Sequence, residues 1–127
     1  MPCSLHVVRT SDFVRMDAHG KFDLEGSRQV LAEVARTCLN RGVDCALLDV
    51  RDAQRSLSVA DLYHLAQTFH ETGFRREHRL AVLHAYNAME RAEMFATFAS
   101  SRGWNVRAFD NYEEAIDWFT SATVLVQ

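Results

Sequence analysis

Proline is nearly missing from this chain: Pro2 is the one proline in 127 residues, and no proline-rich or low-complexity linker divides the sequence. One domain spanning residues 1–127 is therefore the expected organisation. Cysteine is also scarce. Cys3, Cys38 and Cys45 are odd in number and lack CxxC spacing, which excludes a disulfide framework. Cys38 and Cys45 lie among apolar residues, as small core side chains in a reducing compartment do. No apolar run approaches the roughly 20 residues that span a bilayer. The first residues also lack the charged-then-apolar pattern of a secretory signal, so a cytoplasmic home is expected. A basic excess is absent too. The net charge of −3 argues against nucleic-acid binding, whose phosphate contacts draw on surplus lysine and arginine.

The local patterns of common enzymes are missing as well. The histidines, at positions 6, 19, 64, 70, 78 and 84, form no HExxH pair, and His64 and His70 are spaced to point in different directions on one helix. No zinc site is expected. There is no GxSxG elbow, P-loop or GxGxxG, so neither a cofactor nor a nucleotide has local support. A hydrolytic grouping of Asp49, His64 and Ser56 or Ser58 would need a base within reach of the nucleophile and an oxyanion hole. No sequence pattern supplies them, and the chain reads as a non-enzyme.

What is present is a repeated strand, helix and glycine grammar. Phe13 to Ala18 alternates so that Val14, Met16 and Ala18 share a face, as a half-buried strand requires. After the turn Gly20-Lys21-Phe22-Asp23 the period becomes helical, with Val30, Leu31, Val34, Ala35, Cys38 and Leu39 on one stripe. Gly42 stands where a helix end favours a left-handed residue. Cys45 to Leu48 then reads as a strand covered on both faces. Ser58 and Asp61 form a capping-box-like pair opening a second helix, with Val59, Leu62, Ala66 and Phe69 inward and Gly73 closing it. Leu80 to Leu83 is a short buried strand. Asn87 with Glu90 is expected to cap a third helix carrying Ala88, Ala92, Phe95 and Ala99, with Gly103 ending it. Val106 and Ala108 mark another strand. Asp110 with Glu113 then starts a last helix with Tyr112, Ala115, Ile116 and Phe119 inward. Residues Ala122 to Gln127 are expected either to add a short strand or to pack loosely.

Only Ser11 and Asp12 separate Ser4–Thr10 from Phe13–Ala18, which favours an antiparallel hairpin. The fold class that follows is α/β: a mixed, mainly parallel sheet of about five strands with an N-terminal β-hairpin and about four helices.

The segment GKFDLEGSRQVLAEVARTCLNRGVDCALLDV resembles the front half of a STAS domain, in which a strand leads through a Gly-x-Leu/Phe-Asp turn to a helix and then to a strand ending in Asp. With the closing FDNYEEAIDWF, the layout resembles the SpoIIAA-like branch of that superfamily over roughly residues 5 to 120. That branch groups small bacterial proteins related to anti-sigma factor antagonists and is similar in fold to CRAL-TRIO lipid-binding domains. The resemblance implies regulation through a protein partner, an anti-sigma-factor-like or other regulator. In such antagonists a serine at a helix start, after the central strand, is phosphorylated to switch binding. The matching stretch is LLDVRDAQRSLSVADLYHL, with Ser58 as the best positional match and Ser56 two residues earlier. The family's Asp-Ser-Ser-Gly run is absent, and Val50 to Arg55 separate Asp49 from the first serine.

Asp49, Arg51 and Asp52 occupy a strand end, where open α/β sheets place their ligands, so they join Ser56 and Ser58 as candidate contacts for a partner or ligand. A solvated ion-pair loop is the competing reading. The run Arg75-Arg76-Glu77-His78-Arg79 concentrates positive charge before a strand. Tyr63, Phe69, Phe74, Met89, Met94, Phe95 and Phe98 are more than one helix stripe buries; Met94 and Phe98, off the main stripe, either fill gaps in the core or face a neighbouring helix, a second copy of the chain in a homodimer, or an apolar small molecule. A small-molecule or lipid binder with an apolar cleft between the middle helices and the sheet is accordingly the alternative to the regulatory module, and an uncharacterised hydrolase the third reading.

Overall fold

The structure is a computed structural model and describes residues 3–8, 13–54 and 57–125. Strands β1 (Cys3–Val8) and β2 (Phe13–Lys21) pair antiparallel. From β2 onward the chain alternates: α1 (Leu24–Arg41), β3 (Cys45–Gln54), α2 (Val59–Gln67), β4 (Arg79–Leu83), α3 (Met89–Ser100), β5 (Asn105–Phe109) and α4 (Tyr112–Leu125). The sheet order is β1-β2-β3-β4-β5, with every pairing after the first one parallel. The expected mixed sheet, hairpin and helices are all present.

Pleating divides the core in two. Val14, Met16, Ala46, Leu48, Leu80, Val82 and Val106 point toward α1, α2 and α3, whereas Phe13, Leu47, Ala81, Leu83 and Phe109 point toward α4. Ala46, Leu47, Ala81 and Leu80 are all 1% exposed or less, which is why β3 and β4 read as continuous apolar runs. The single helix α4 brings Ala115 and Phe119 onto its face of the sheet and leaves much of β2 and β3 there to polar residues.

The helix ends follow local chemistry. Asp23 Oδ1 accepts a hydrogen bond from the Gly26 N–H at 2.7 Å and caps α1, an arrangement worth about 1 kcal/mol. At the other end Gly42 has φ 67°, and its N–H closes the helix against the carbonyls of Cys38 and Leu39. Three expected boundaries differ. Helix α2 stops at Gln67, and Phe69–Glu71 tightens into a 3-10 turn, so Gly73 lies beyond the helix instead of closing it. There Phe69 stacks on Phe74 at 5.1 Å and meets Trp104 at 5.0 Å, so aromatic packing continues where helical hydrogen bonding ends. Asn87 sits in a 3-10 turn (Tyr86–Ala88), and α3 begins without a side-chain cap. Asn111, not Asp110, caps α4: its Oδ1 accepts from the Glu114 N–H at 3.0 Å. The tail was expected as strand or loose packing, but α4 runs through Leu125. Thr10 and the residues after Leu125 lie outside the described residues.

Candidate functional site

Asp49 and Arg51 meet in an ion-pair network that already fills the carboxylate. Asp49 Oδ1 accepts from the Arg51 backbone N–H and from Arg51 Nε, each at 3.0 Å. Its Oδ2 accepts from Arg51 Nη2 at 2.7 Å and from Arg15 Nη2 at 2.9 Å. Burial alone would raise the Asp49 carboxyl pKa, yet the hydrogen bonds from Arg51 and the charges of Arg51 and Arg15 hold it below the ordinary carboxylate value. Arg15 also donates to Asp17 at 2.8 Å and lies over the Tyr112 ring at 5.4 Å, which joins the network to α4. This network occupies the α4 side of the sheet. Asp52 stands apart, with its exposed carboxylate 3.6 Å from His19 Nδ1.

Ser58 belongs to the opposite side. It is the N-cap of α2: its hydroxyl accepts from the Asp61 N–H, and Asp61 Oδ2 accepts from the Ser58 N–H, both at 3.1 Å. The sequence pair is therefore a complete capping box on an exposed residue. Ser56 lies outside the described residues. The candidates thus fall into two groups on opposite faces, and Asp49 is separated from Ser58 and His64 by the sheet. Val59, expected on the inward stripe of α2, is 48% exposed, and Tyr63 one turn on is 45% exposed. Met89 and Tyr86, at the start of α3, are exposed at 42% and 83%. Arg91 donates to the Leu57 carbonyl and ties the start of α3 to the segment that leads into α2. Val59 thus adjoins Ser58 at the start of α2, and Tyr86 and Met89 stand at the start of α3, whereas Tyr63 turns toward the end of α3, where its hydroxyl accepts from Arg102 Nη2 at 3.1 Å. Phe98 meets Tyr63 edge-on at 5.5 Å, so it serves the contact between α2 and α3. The basic run before β4 is held by the fold: Arg76 lies 3.9 Å over the Trp104 ring, and the Arg75 N–H donates to His78 Nδ1 at 2.9 Å.

A cavity lies where the alternative reading placed an apolar cleft, between the middle helices and the sheet, although sequence reasoning singled out neither His84 nor Arg91 as part of it. It measures about 160 Å³ and opens between the sheet and the first turns of α1, α2 and α3, at the carboxyl ends of β2, β3 and β4. Its walls are mostly apolar, with Leu31, Leu48, Leu62, Val82 and Phe95 among them. His84 and Arg91 supply polarity at different depths. His84 is 1% exposed and continues the pleat of Leu80 and Val82, so it belongs to the inner wall. Arg91 is partly exposed beside Leu57 and the exposed Gln54, which together mark the mouth. His84 Nδ1 lies 2.8 Å from the Ala85 carbonyl oxygen, which can only accept, so Nδ1 carries the proton. The other ring nitrogen, Nε2, makes no hydrogen bond among the described residues. Both residues were legible in outline: His84 extends an alternating strand by one pleat, and Arg91 lies one helical turn before Phe95.

Among the described residues, no group of three or more His, Cys, Asp or Glu side chains is placed to hold a metal ion, and no helix is long and apolar enough to cross a membrane. No protein-family model matches the chain, and no curated protein matches it by sequence. Solved structures do match. A protein with a SpoIIAA-like fold from Shewanella loihica superposes with a TM-score of 0.58 at 19% identity, covering 91% of this chain and 92% of that one. An anti-sigma factor antagonist from Mycobacterium paratuberculosis gives 0.59 at 13% identity, over 91% and 92%. The unphosphorylated anti-sigma factor antagonist SpoIIAA gives 0.53 at 17% identity, over 93% and 97%. The chain therefore has the SpoIIAA-like α/β fold. At such identities the likeness is one of architecture, and chemistry must be argued from the residues of this chain.

Proposed function

We propose that this chain is a non-enzymatic regulatory module that binds a protein partner along the rim formed by the starts of α2 and α3. The observation that carries the reading is the exposure of large apolar side chains at both helix starts, Val59 beside the capped Ser58 on α2 and Tyr86 and Met89 before and at the start of α3. The anti-sigma factor antagonists among its structural neighbours support a protein as the occupant. Ser58 is the position where modification would act. A phosphate there brings about two negative charges to a helix N-terminus and to the middle of the contact surface. Asp49 and Arg51 contribute by holding β3 in place, not by touching the partner.

The test is affinity purification from the source cells with wild type, Val59→Glu, and Glu113→Lys on α4 as a control. A protein retained by wild type and the control but lost with Val59→Glu is the expected result. Loss of no protein by Val59→Glu would overturn the reading. Concentration-dependent dimerisation abolished by the same substitution would make a second copy of the chain the occupant. The cavity supports a second reading, an apolar small-molecule binder, and the two are compatible because Leu57 belongs to the cavity wall and leads into the rim.

A further inference from the structure

We infer that the cavity takes a small amphipathic acid whose carboxylate sits at Arg91, whose apolar body fills the interior, and whose inner end presents a hydroxyl to His84. This inference rests on the small-molecule reading and names its ligand class. A cavity of comparable size, about 150 Å³, accommodates benzene, so 160 Å³ suits an apolar body of roughly six to eight carbons. Apolar walls favour such a body and disfavour a sugar or nucleotide, whose many polar groups would be left without partners.

The polar ends follow from the two side chains. Arg91 uses one terminal nitrogen on the Leu57 carbonyl and forms no ion pair among the described residues, so its guanidinium retains donors at the mouth. A carboxylate there would be only partly desolvated, which avoids the cost of burying a charge in the apolar interior. At the inner wall Nδ1–H of His84 is committed to the Ala85 carbonyl, which leaves Nε2 as the ring nitrogen open to a ligand. The complementary ligand group is a hydroxyl. A carboxylate at that depth would be a charge buried among apolar walls, so the acid enters with its anionic end outward.

The experiment is isothermal titration of the delipidated full chain with 8-hydroxyoctanoate, octanoate and 1-octanol. The expected order is 8-hydroxyoctanoate tightest, octanoate weaker by about 3-fold to 10-fold, and octanol weaker again by about 10-fold or more. Arg91→Gln should erase the preference for octanoate over octanol, and His84→Phe should erase the preference for the hydroxylated acid. Arg91 also ties α3 to Leu57, so the wild-type ranking stands as a test if that variant does not fold. Octanol binding as tightly as octanoate would overturn the carboxylate assignment while leaving the small-molecule reading in place. Equal affinity for octanoate and its hydroxylated form would overturn the role of His84. No heat from any of the three at its solubility limit would overturn both the inference and the reading beneath it.

Discussion

Replacing Asp49 with alanine should destabilise the fold by about 2–3 kcal/mol, a value that follows from what the carboxylate holds and from how well its partners can recover. The Asp49 side chain is 8% exposed, while those of Arg15 and Arg51 are 25% and 44% exposed. Removing one member of a fully buried ion pair costs about 3–5 kcal/mol because the orphaned charge stays dry. Here the loss is smaller. Arg51 reaches water, and Arg15 keeps its bond to Asp17. The Arg51 backbone N–H loses an acceptor outright. Asp52→Ala is the internal control. Its carboxylate is 77% exposed, and its removal should change stability by less than about 0.5 kcal/mol. Urea unfolding of the three proteins at neutral pH measures the difference, and repeating it in acid tests its origin. The folded carboxyl pKa lies below its ordinary value of 3.8, so the unfolded chain takes up the proton first. The contribution of Asp49 is therefore complete above that value and is lost as pH falls below it. The gap between wild type and Asp49→Ala should close over the same range. A cost no larger than that of Asp52→Ala, or a gap that acid leaves unchanged, would refute the assignment of Asp49 to the structural network.

Three further outcomes are expected. Ser58→Ala should lose about 1 kcal/mol by calorimetry, whereas Ser58→Asp, which caps equally well, should stay within about 0.5 kcal/mol of wild type; equal losses would contradict the capping role. Gly103→Ala should cost about 1–3 kcal/mol in urea, because φ is 90° and a Cβ would lie 2.6 Å from Nη1 of the Arg76 stacked on Trp104; an unchanged midpoint would count against that constraint. Cys38 is 0% exposed, and burial pushes its thiol up to about 12, so peptide mapping should find it unalkylated in the native protein at mildly alkaline pH and alkylated after unfolding. Prompt native labelling would contradict the packing.

The architecture was legible because several local signals agreed. Asp23 before Leu24, Gly42 after Arg41, and the change of period between them define α1 without tertiary help. The boundaries that went astray are those settled by contacts distant in sequence. Phe69 fits the α2 stripe, yet its ring is held by Phe74, Phe95 and Trp104, and three of these four aromatics lie outside α2 and the turn that follows it. Asn87 has the chemistry of a cap but falls inside a 3-10 turn, so the first turn of α3 is fixed by tertiary contacts such as that of Arg91 with Leu57. At the chain's end, apolar residues after Phe119 fit a strand or a helix equally well by composition, and α4 continues through them.

The candidate site was only half legible. Asp49, Arg51, Asp52 and Ser58 stand close in sequence around one strand end, which invites their grouping. Strand pleating undoes it: Asp49 lies on the α4 side of β3, opposite the face covered by α2, and near neighbours in the chain become residents of different surfaces. The cavity shows the converse. Ala18, Ala53, Ala88 and Ala92 read individually as ordinary small core residues, and nothing local indicates that they line one space. Small residues brought together from β2, β3 and the start of α3 leave volume that their neighbours do not fill. That volume forms at the carboxyl ends of parallel strands because every strand-to-helix connection of β2, β3 and β4 leaves the sheet there. The topology therefore gathers Arg91 and His84 around one opening, although His84 follows the end of β4 and Arg91 lies in the first turn of α3.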